Sequence, residues 1–308
     1  MILLCGIPSE SPLALVGDAL DQIDAPYMWF NQRHFARTEM AFEIDAKGIS
    51  GWLEIDGEGV PLDAVRGVYS RLMDHNRLPE LKDEVDGSPA MRQCVALQDT
   101  LMRWAEICPA RVVNRMAAMG SNSSKPYQAQ LIRQHGLEAP PTLITTDPHA
   151  VLDFYAQHGK IIYKSISGVR SIVQTFDAKD LGRLASIRWC PTQFQQYIEG
   201  TNVRVHVVGD EVFATEVKSE AIDYRYAKQQ VGQAARLSAI DLDDEVAGKC
   251  IALTKGLGLA FSGIDLKFTP GGRVYCFEVN PCPGFSYFEL NSGQAISMAV
   301  ARYLAGSE

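Results

Sequence analysis

The sequence predicts a mixed α/β protein, and three observations carry that expectation. The first residues alternate strand, helix and strand at the spacing of an α/β unit. The second half instead carries apolar runs joined by short Gly-containing turns, which read as β-hairpins. Helical patterns with start and stop signals are interleaved between them.

Taken in order, residues 2–5 read as a buried strand ending at Gly6, and 12–23 as a helix with Leu13, Val16 and Leu20 on one side. Residues 27–30 form a second strand. The loop after Cys5 lacks the GxGxxG dinucleotide pattern. A polar hairpin over 40–56 and a strand over 65–69 follow, then a polar loop over 74–88. Ser88 and Pro89 start a helix that reaches Cys108. A strand over 111–114 ends a small α/β domain placed at 1–115.

A Ser cap and Pro126 start a helix from Lys125 that Gly136 stops. A strand over 140–145, a helix from Asp147-Pro148 to His158 and a strand over 160–165 come next. The segment SISGVRS at 165–171 is small, polar and basic. Such a loop folds over phosphates or is a plain hairpin. A strand over 172–176, a helix near 178–186 and the strand 193–198 complete a second unit, 116–200. The third, 201–308, opens with a hairpin turning at Gly209-Asp210. A polar lid-like loop over 219–238, a helix over 241–257, a hairpin and a helix over 292–304 follow.

That late hairpin, GIDLKFTPGGRVYCFEVNP at 263–281, carries the most chemistry. Pairing Phe268 with Arg273 sets Asp265 opposite Cys276 and diagonal to Glu278, with Cys276, Glu278 and Asn280 on its face. Ile264, Leu266, Tyr275, Phe277 and Val279 form the opposite, core face. Carboxylates inside apolar runs need a partner. Two carboxylates and an amide are hard oxygen donors that suit Mg²⁺.

The 308 residues carry a net charge of −8 and no apolar run long enough to span a membrane, so neither a nucleic-acid nor a membrane partner is expected. Seven cysteines without CxxC or zinc spacing read as reduced, buried thiols of a cytoplasmic protein.

Together, Lys125 at a helix start, Lys164 before the Gly/Ser loop, QQYI at 195–198, NVRVHVVG at 202–209 and FEVNP at 277–281 resemble the ATP-grasp superfamily. Within it they are most similar to RimK-type and graspetide (microviridin-type) peptide ligases, over about 115–305. The resemblance implies an ATP-grasp fold behind a pre-ATP-grasp domain. It implies phosphate contacts from Lys125, Lys164, Ser167, Gly168 and Arg170, and an adenine edge at Gln195, Gln196, Tyr197 and Ile198. Asn202 stands where the family often has an acidic ribose ligand. Arg204 and Lys218 would face the transferring phosphoryl group, and Arg225 would grip a substrate carboxylate. Asp265, Glu278 and Asn280 would hold two Mg²⁺, with Mn²⁺ as a substitute. His206, Cys276, Cys282, Tyr127 and Gln128 read as packing or structural residues.

The implied reaction is carboxylate–amine ligation through an acyl phosphate. The carboxylate and amine come from a small molecule or peptide, and the enzyme would be a homodimer. The alternatives are a small-molecule kinase, marked by a stable phosphorylated product, and a non-catalytic ATP-binding module, marked by binding without turnover.

Overall fold

The structure is a computed structural model and describes residues 1–166, 173–219, 232–233 and 235–306. Strands β1 (Ile2–Gly6), β2 (Tyr27–Asn31), β6 (Gly67–Ser70) and β7 (Arg111–Val113) form a parallel sheet in the order β2-β1-β6-β7. Helix α1 (Ser11–Gln22) covers one face. Helix α2 (Pro89–Ile107) covers the other, started by Ser88, whose hydroxyl accepts from the Met91 N–H at 3.2 Å. The polar hairpin is a three-stranded sheet, β3 (Thr38–Asp45), β4 (Gly48–Ile55) and β5 (Glu58–Pro61). Its third strand was not expected, because Glu58-Gly-Val-Pro carries one apolar side chain, Val60, that turns inward.

Two further antiparallel sheets face each other across a cleft. The smaller runs β10-β9-β11-β8, from β8 (Thr142–Thr145), β9 (Ile161–Ser165), β10 (Gln174–Thr175) and β11 (Thr192–Gln196). Behind it lie α5 (Pro148–His158), capped by Asp147, and the 3-10 segment Ala178–Trp189, expected as an α-helix. The larger sheet runs β14-β13-β12-β15-β16: β12 (Thr201–Val208), β13 (Glu211–Lys218), β14 (Arg236–Ile240), β15 (Phe261–Phe268) and β16 (Val274–Asn280). Strand β14 starts within the last residues of what reads in sequence as a loop over 219–238 and runs two residues past it.

Helices α3 (Met116–Met119) and α4 (Lys125–Gln134) lead into the cleft, and α6 (Asp244–Gly256) packs under the large sheet. Helices α7 (Ser286–Ser292) and α8 (Ile296–Ala305) follow β16. One core joins both ends of the chain: Ile2, Leu13 and Val16 pack with Phe261, Val300 and Leu304. Gly67 has no side chain where one would lie 2.7 Å from the Leu304 carbonyl, so α8 seats directly on β6. Among the described residues no helix is long and apolar enough to cross a membrane.

Candidate active site

The late hairpin forms, but its register differs from the expected one. Phe268 pairs with Val274, and a bulge at Phe277 then sets Asp265 directly opposite Glu278. Directly opposed side chains have Cβ atoms about 4.5–5.5 Å apart, closer than the diagonal geometry. The extra residue also reverses the alternation below it. Cys276 turns into the core opposite Leu266, where burial pushes its thiol pKa well up, and Phe277 turns toward the cleft. Cys276 therefore does not share the carboxylate face.

Two adjacent carboxylates repel unless cations lie beside them. Arg204 on β12 sits opposite Asp265 and donates from Nη1 to Oδ1 at 2.8 Å. Lys125, the first residue of α4, holds its Nζ 3.3 Å from Glu278 Oε2 and 2.9 Å from Asn122 Oδ1. Ser124 gives no side-chain cap, contrary to the expectation. Instead α4 is fixed by Gln128, whose buried amide donates to the Val279 carbonyl at 2.7 Å and accepts from the Val279 N–H at 3.0 Å. That pairing satisfies the edge of β16 and ties Lys125 to the strand bearing Glu278.

Asn280 accepts at Oδ1 from the Cys282 N–H at 2.9 Å, which orients its amide. Opposite it, Gly263 leaves room for Arg204: a Cβ there would fall 2.2 Å from Arg204 Nη2. His206, wholly buried, lies with Nε2 3.5 Å from Arg204 Nε. Burial, and then the neighbouring guanidinium, hold its pKa well below the ordinary value, so it packs as a neutral ring.

Two supports come from the N-terminal sheet. Asn114 bonds the Phe261 and Pro281 carbonyls, both at 2.6 Å, and accepts from the N–H groups of Ala260 and Phe261 at 2.8 and 3.1 Å. Arg71 is clasped by Glu10 at 2.7 Å and donates to the Pro283 carbonyl at 3.0 Å and to Cys282 Sγ at 3.2 Å. Cys282 and Cys190 are exposed, unlike the five other cysteines.

The small sheet supplies the facing wall. Lys164 pairs in register with Gln193, and Ile162 with Gln195, so these four share a face, and Lys164, Ile162 and Gln195 line the cleft. Gln195 donates from Nε2 to Thr142 Oγ1 at 3.0 Å. Gln196 alternates to the other face, that of Phe194 and Ile161, and is not brought into the cleft. Tyr197, Ile198 and Asn202 are cleft residues. The Tyr197 N–H is spent on the Lys160 carbonyl at 2.9 Å. Among the described residues no bond claims the Tyr197 carbonyl or the Ile198 N–H.

The structure thus gathers Asp265, Glu278, Lys164, Gln195, Tyr197, Ile198 and Asn202 around one cleft, with Lys125 and Arg204 paired to its carboxylates. Lys218 lies with Glu216 on the opposite face of the sheet from Arg204, and pairs with that carboxylate at 2.8 Å. Ser167, Gly168, Arg170 and Arg225 lie outside the described residues. Arg71, Asn114, Phe277 and Lys267 were missed by sequence reasoning. Only Lys267 carried a signal, being two residues from Asp265 on the same strand face.

Among the described residues no three His, Cys, Asp or Glu side chains cluster as a metal site. The available donors are the Asp265–Glu278 pair and the Asn280 amide. This all-oxygen set fits a hard cation that takes its other ligands from water and phosphate.

Residues 122–304 match the family model of the RimK-like ATP-grasp domain. The chain is 25% identical over 220 residues to a probable alpha-L-glutamate ligase of Photobacterium profundum, covering 67% of this chain and 70% of that protein. It is similar to the ATP-grasp ligase PsnB, solved with a phosphomimetic variant of a minimal precursor, Mg and ADP. That similarity has 28% identity and a TM-score of 0.78, over 99% of this chain and 98% of that one. A Chryseobacterium gregarium RiPP-associated ATP-grasp ligase shares the fold at a TM-score of 0.84 and 20% identity, over 100% of this chain and 97% of that one. The chain belongs to the RimK-like ATP-grasp family and is an ATP-dependent, ADP-forming carbon–nitrogen ligase.

Proposed function

We propose that this ligase activates a carboxylate of a peptide as an acyl phosphate and transfers the acyl group to an amine. The carrying observation is the opposed Asp265–Glu278 pair, with Arg204 and Lys125 beside it, at the floor of a cleft that Lys164, Gln195, Tyr197 and Ile198 wall. A peptide is favoured over a free amino acid because PsnB, solved with the precursor peptide PsnA2, matches 99% of the chain at 27% identity and a TM-score of 0.78. The division into 1–115, 116–200 and 201–308 is part of the same reading, and so are a cytoplasmic setting and a homodimer.

The Ile198 N–H offers the donor that a ring nitrogen on an adenine edge accepts from. Asp265, Glu278 and Asn280 would hold Mg²⁺, which supplies charge neutralisation on the phosphates when bound. Lys164 places a point charge on the phosphate chain. Arg204 is positioned to stabilise the oxygens of the transferring phosphoryl group. The substrate carboxylate oxygen attacks the γ-phosphorus and ADP leaves. The amine then attacks the acyl carbon, phosphate departs and one proton is lost. The chain needs no nucleophile of its own.

The test is phosphate release with ATP and Mg²⁺ across amino-acid and peptide pools, with product mass read in parallel. Glu278→Gln should lower turnover at least about 100-fold while the thermal midpoint stays within a few degrees. Undiminished turnover would remove Glu278 from the metal floor. A phosphorylated product that persists in place of an amide would make the protein a kinase.

A further inference from the structure

Lys267 sits in the cleft beside, but not among, the residues used above. It faces Asn202 across the β12–β15 pairing and lies two residues from Asp265 on the same face. Two residues advance a strand by about 6.6 Å. Its ammonium therefore belongs to a station displaced from the carboxylate floor toward Tyr197. Two aromatic rings and a second ammonium lie around it. The Tyr197 ring centroid is 5.4 Å from Nζ and the Phe277 centroid 5.8 Å. Lys160 reaches the same Tyr197 ring at 3.7 Å. Among the described residues Lys267 has no carboxylate partner and no hydrogen-bond acceptor. Ring faces compensate a half-buried ammonium only in part, so the geometry calls for an occupant that brings acceptor oxygens.

The position selects which oxygens. With phosphates at Asp265 and Glu278 and adenine at Tyr197 and Ile198, the sugar must lie between, where Lys267 and Asn202 face each other. An ammonium offers only donors, and an amide both donors and an acceptor. Together they match a pair of hydroxyls. We infer that Lys267 is a nucleotide-specificity residue whose ammonium, paired with the Asn202 amide, reads the ribose hydroxyls of the bound nucleotide. This rests on the nucleotide reading of the cleft proposed above.

The experiment is calorimetric titration of the full chain with ADP and with 2′,3′-dideoxy-ADP, for wild type, Lys267→Met and Lys267→Gln. Wild type is expected to bind ADP about tenfold more tightly than the dideoxy analogue. Lys267→Met should lose about tenfold for ADP, change little for the analogue and no longer distinguish the two. Lys267→Gln, which keeps a donor, should retain part of the preference. An equal loss for both nucleotides would assign Lys267 to a phosphate and overturn the sugar contact. So would a wild type without preference, which needs no variant to fold. A wild type that bound neither ADP nor the analogue would overturn the nucleotide reading beneath it.

Discussion

The two walls of the cleft are built differently. Among the described residues, the large sheet has fourteen buried side chains in one core cluster beneath it and further contacts to the N-terminal sheet above. Its chemical groups are held in place: Asp265 by Arg204, Glu278 by Lys125 and Asn280 by the Cys282 N–H. Among the described residues, the small sheet rests on a cluster of six buried side chains. Its contribution to the cleft is a lysine, amides and backbone groups at strand ends. The ion-paired carboxylates thus sit on the wall with the larger described core, and Lys164 and Gln195 on the wall with the smaller one.

That contrast can be broken from either side. The largest effect is expected from Asp265→Asn, which should lower turnover about 100- to 1,000-fold. Unlike Glu278→Gln it should also destabilise the fold, by about 3 kcal/mol, because Arg204 is 7% exposed and Lys125 is 21%. Comparing urea midpoints of the two variants checks this. Next is Asn114→Ala, which removes four hydrogen bonds between β7 and the two ends of the hairpin. It should cost about 3–4 kcal/mol in a single transition, measured by urea unfolding.

Phe194→Ala should cost a similar amount or slightly less, about 3 kcal/mol, but confined to the small sheet. Amide hydrogen exchange should then rise over β8–β11 while β12–β16 keep their protection. A uniform rise would mean that the walls are one cooperative unit. The smallest effect concerns pH. His206 titrates well below its ordinary value when folded, so below about 6.5 the unfolded chain takes up a proton that the folded one refuses. Stability should be full above that pH and fall as the solution is acidified toward the folded value. His206→Gln should flatten the slope, seen as urea midpoints that converge between pH 7 and pH 5.

The same contrast explains what was legible. Elements with a period and punctuation read correctly: Ser88 and Pro89 starting α2, Asp147 starting α5, and Gly136 stopping α4 with φ +76°. The carboxylate face was visible because charges inside apolar runs are costly. Its register was not, since a bulge leaves no mark in composition, and one extra residue moved Cys276 inward and Phe277 outward. Gln196 is turned away for another reason: neighbours on a strand face opposite ways, and Gln195 takes the cleft face of β11. Arg71 and Asn114 were unreadable because their partners lie 61 to 212 positions away. Lys267 was passed over although it lies two residues from Asp265 on one strand face, and the rings of Tyr197 and Phe277 beside it are visible in the structure alone.

The seating of α8 on α1 and Gly67 has a consequence for how the chain is made. Residues 1–115 emerge from the ribosome with Ile2, Leu13 and Val16 facing a neighbour that has not been synthesised. Their apolar face is covered when residues 296–305 arrive, almost two hundred positions later. At synthesis rates of about 5–20 residues per second the exposed face waits on the order of ten seconds or more. The first sheet is thus completed by a helix made long after it, and a ribosome stalled before that point would hold a chain ready to aggregate.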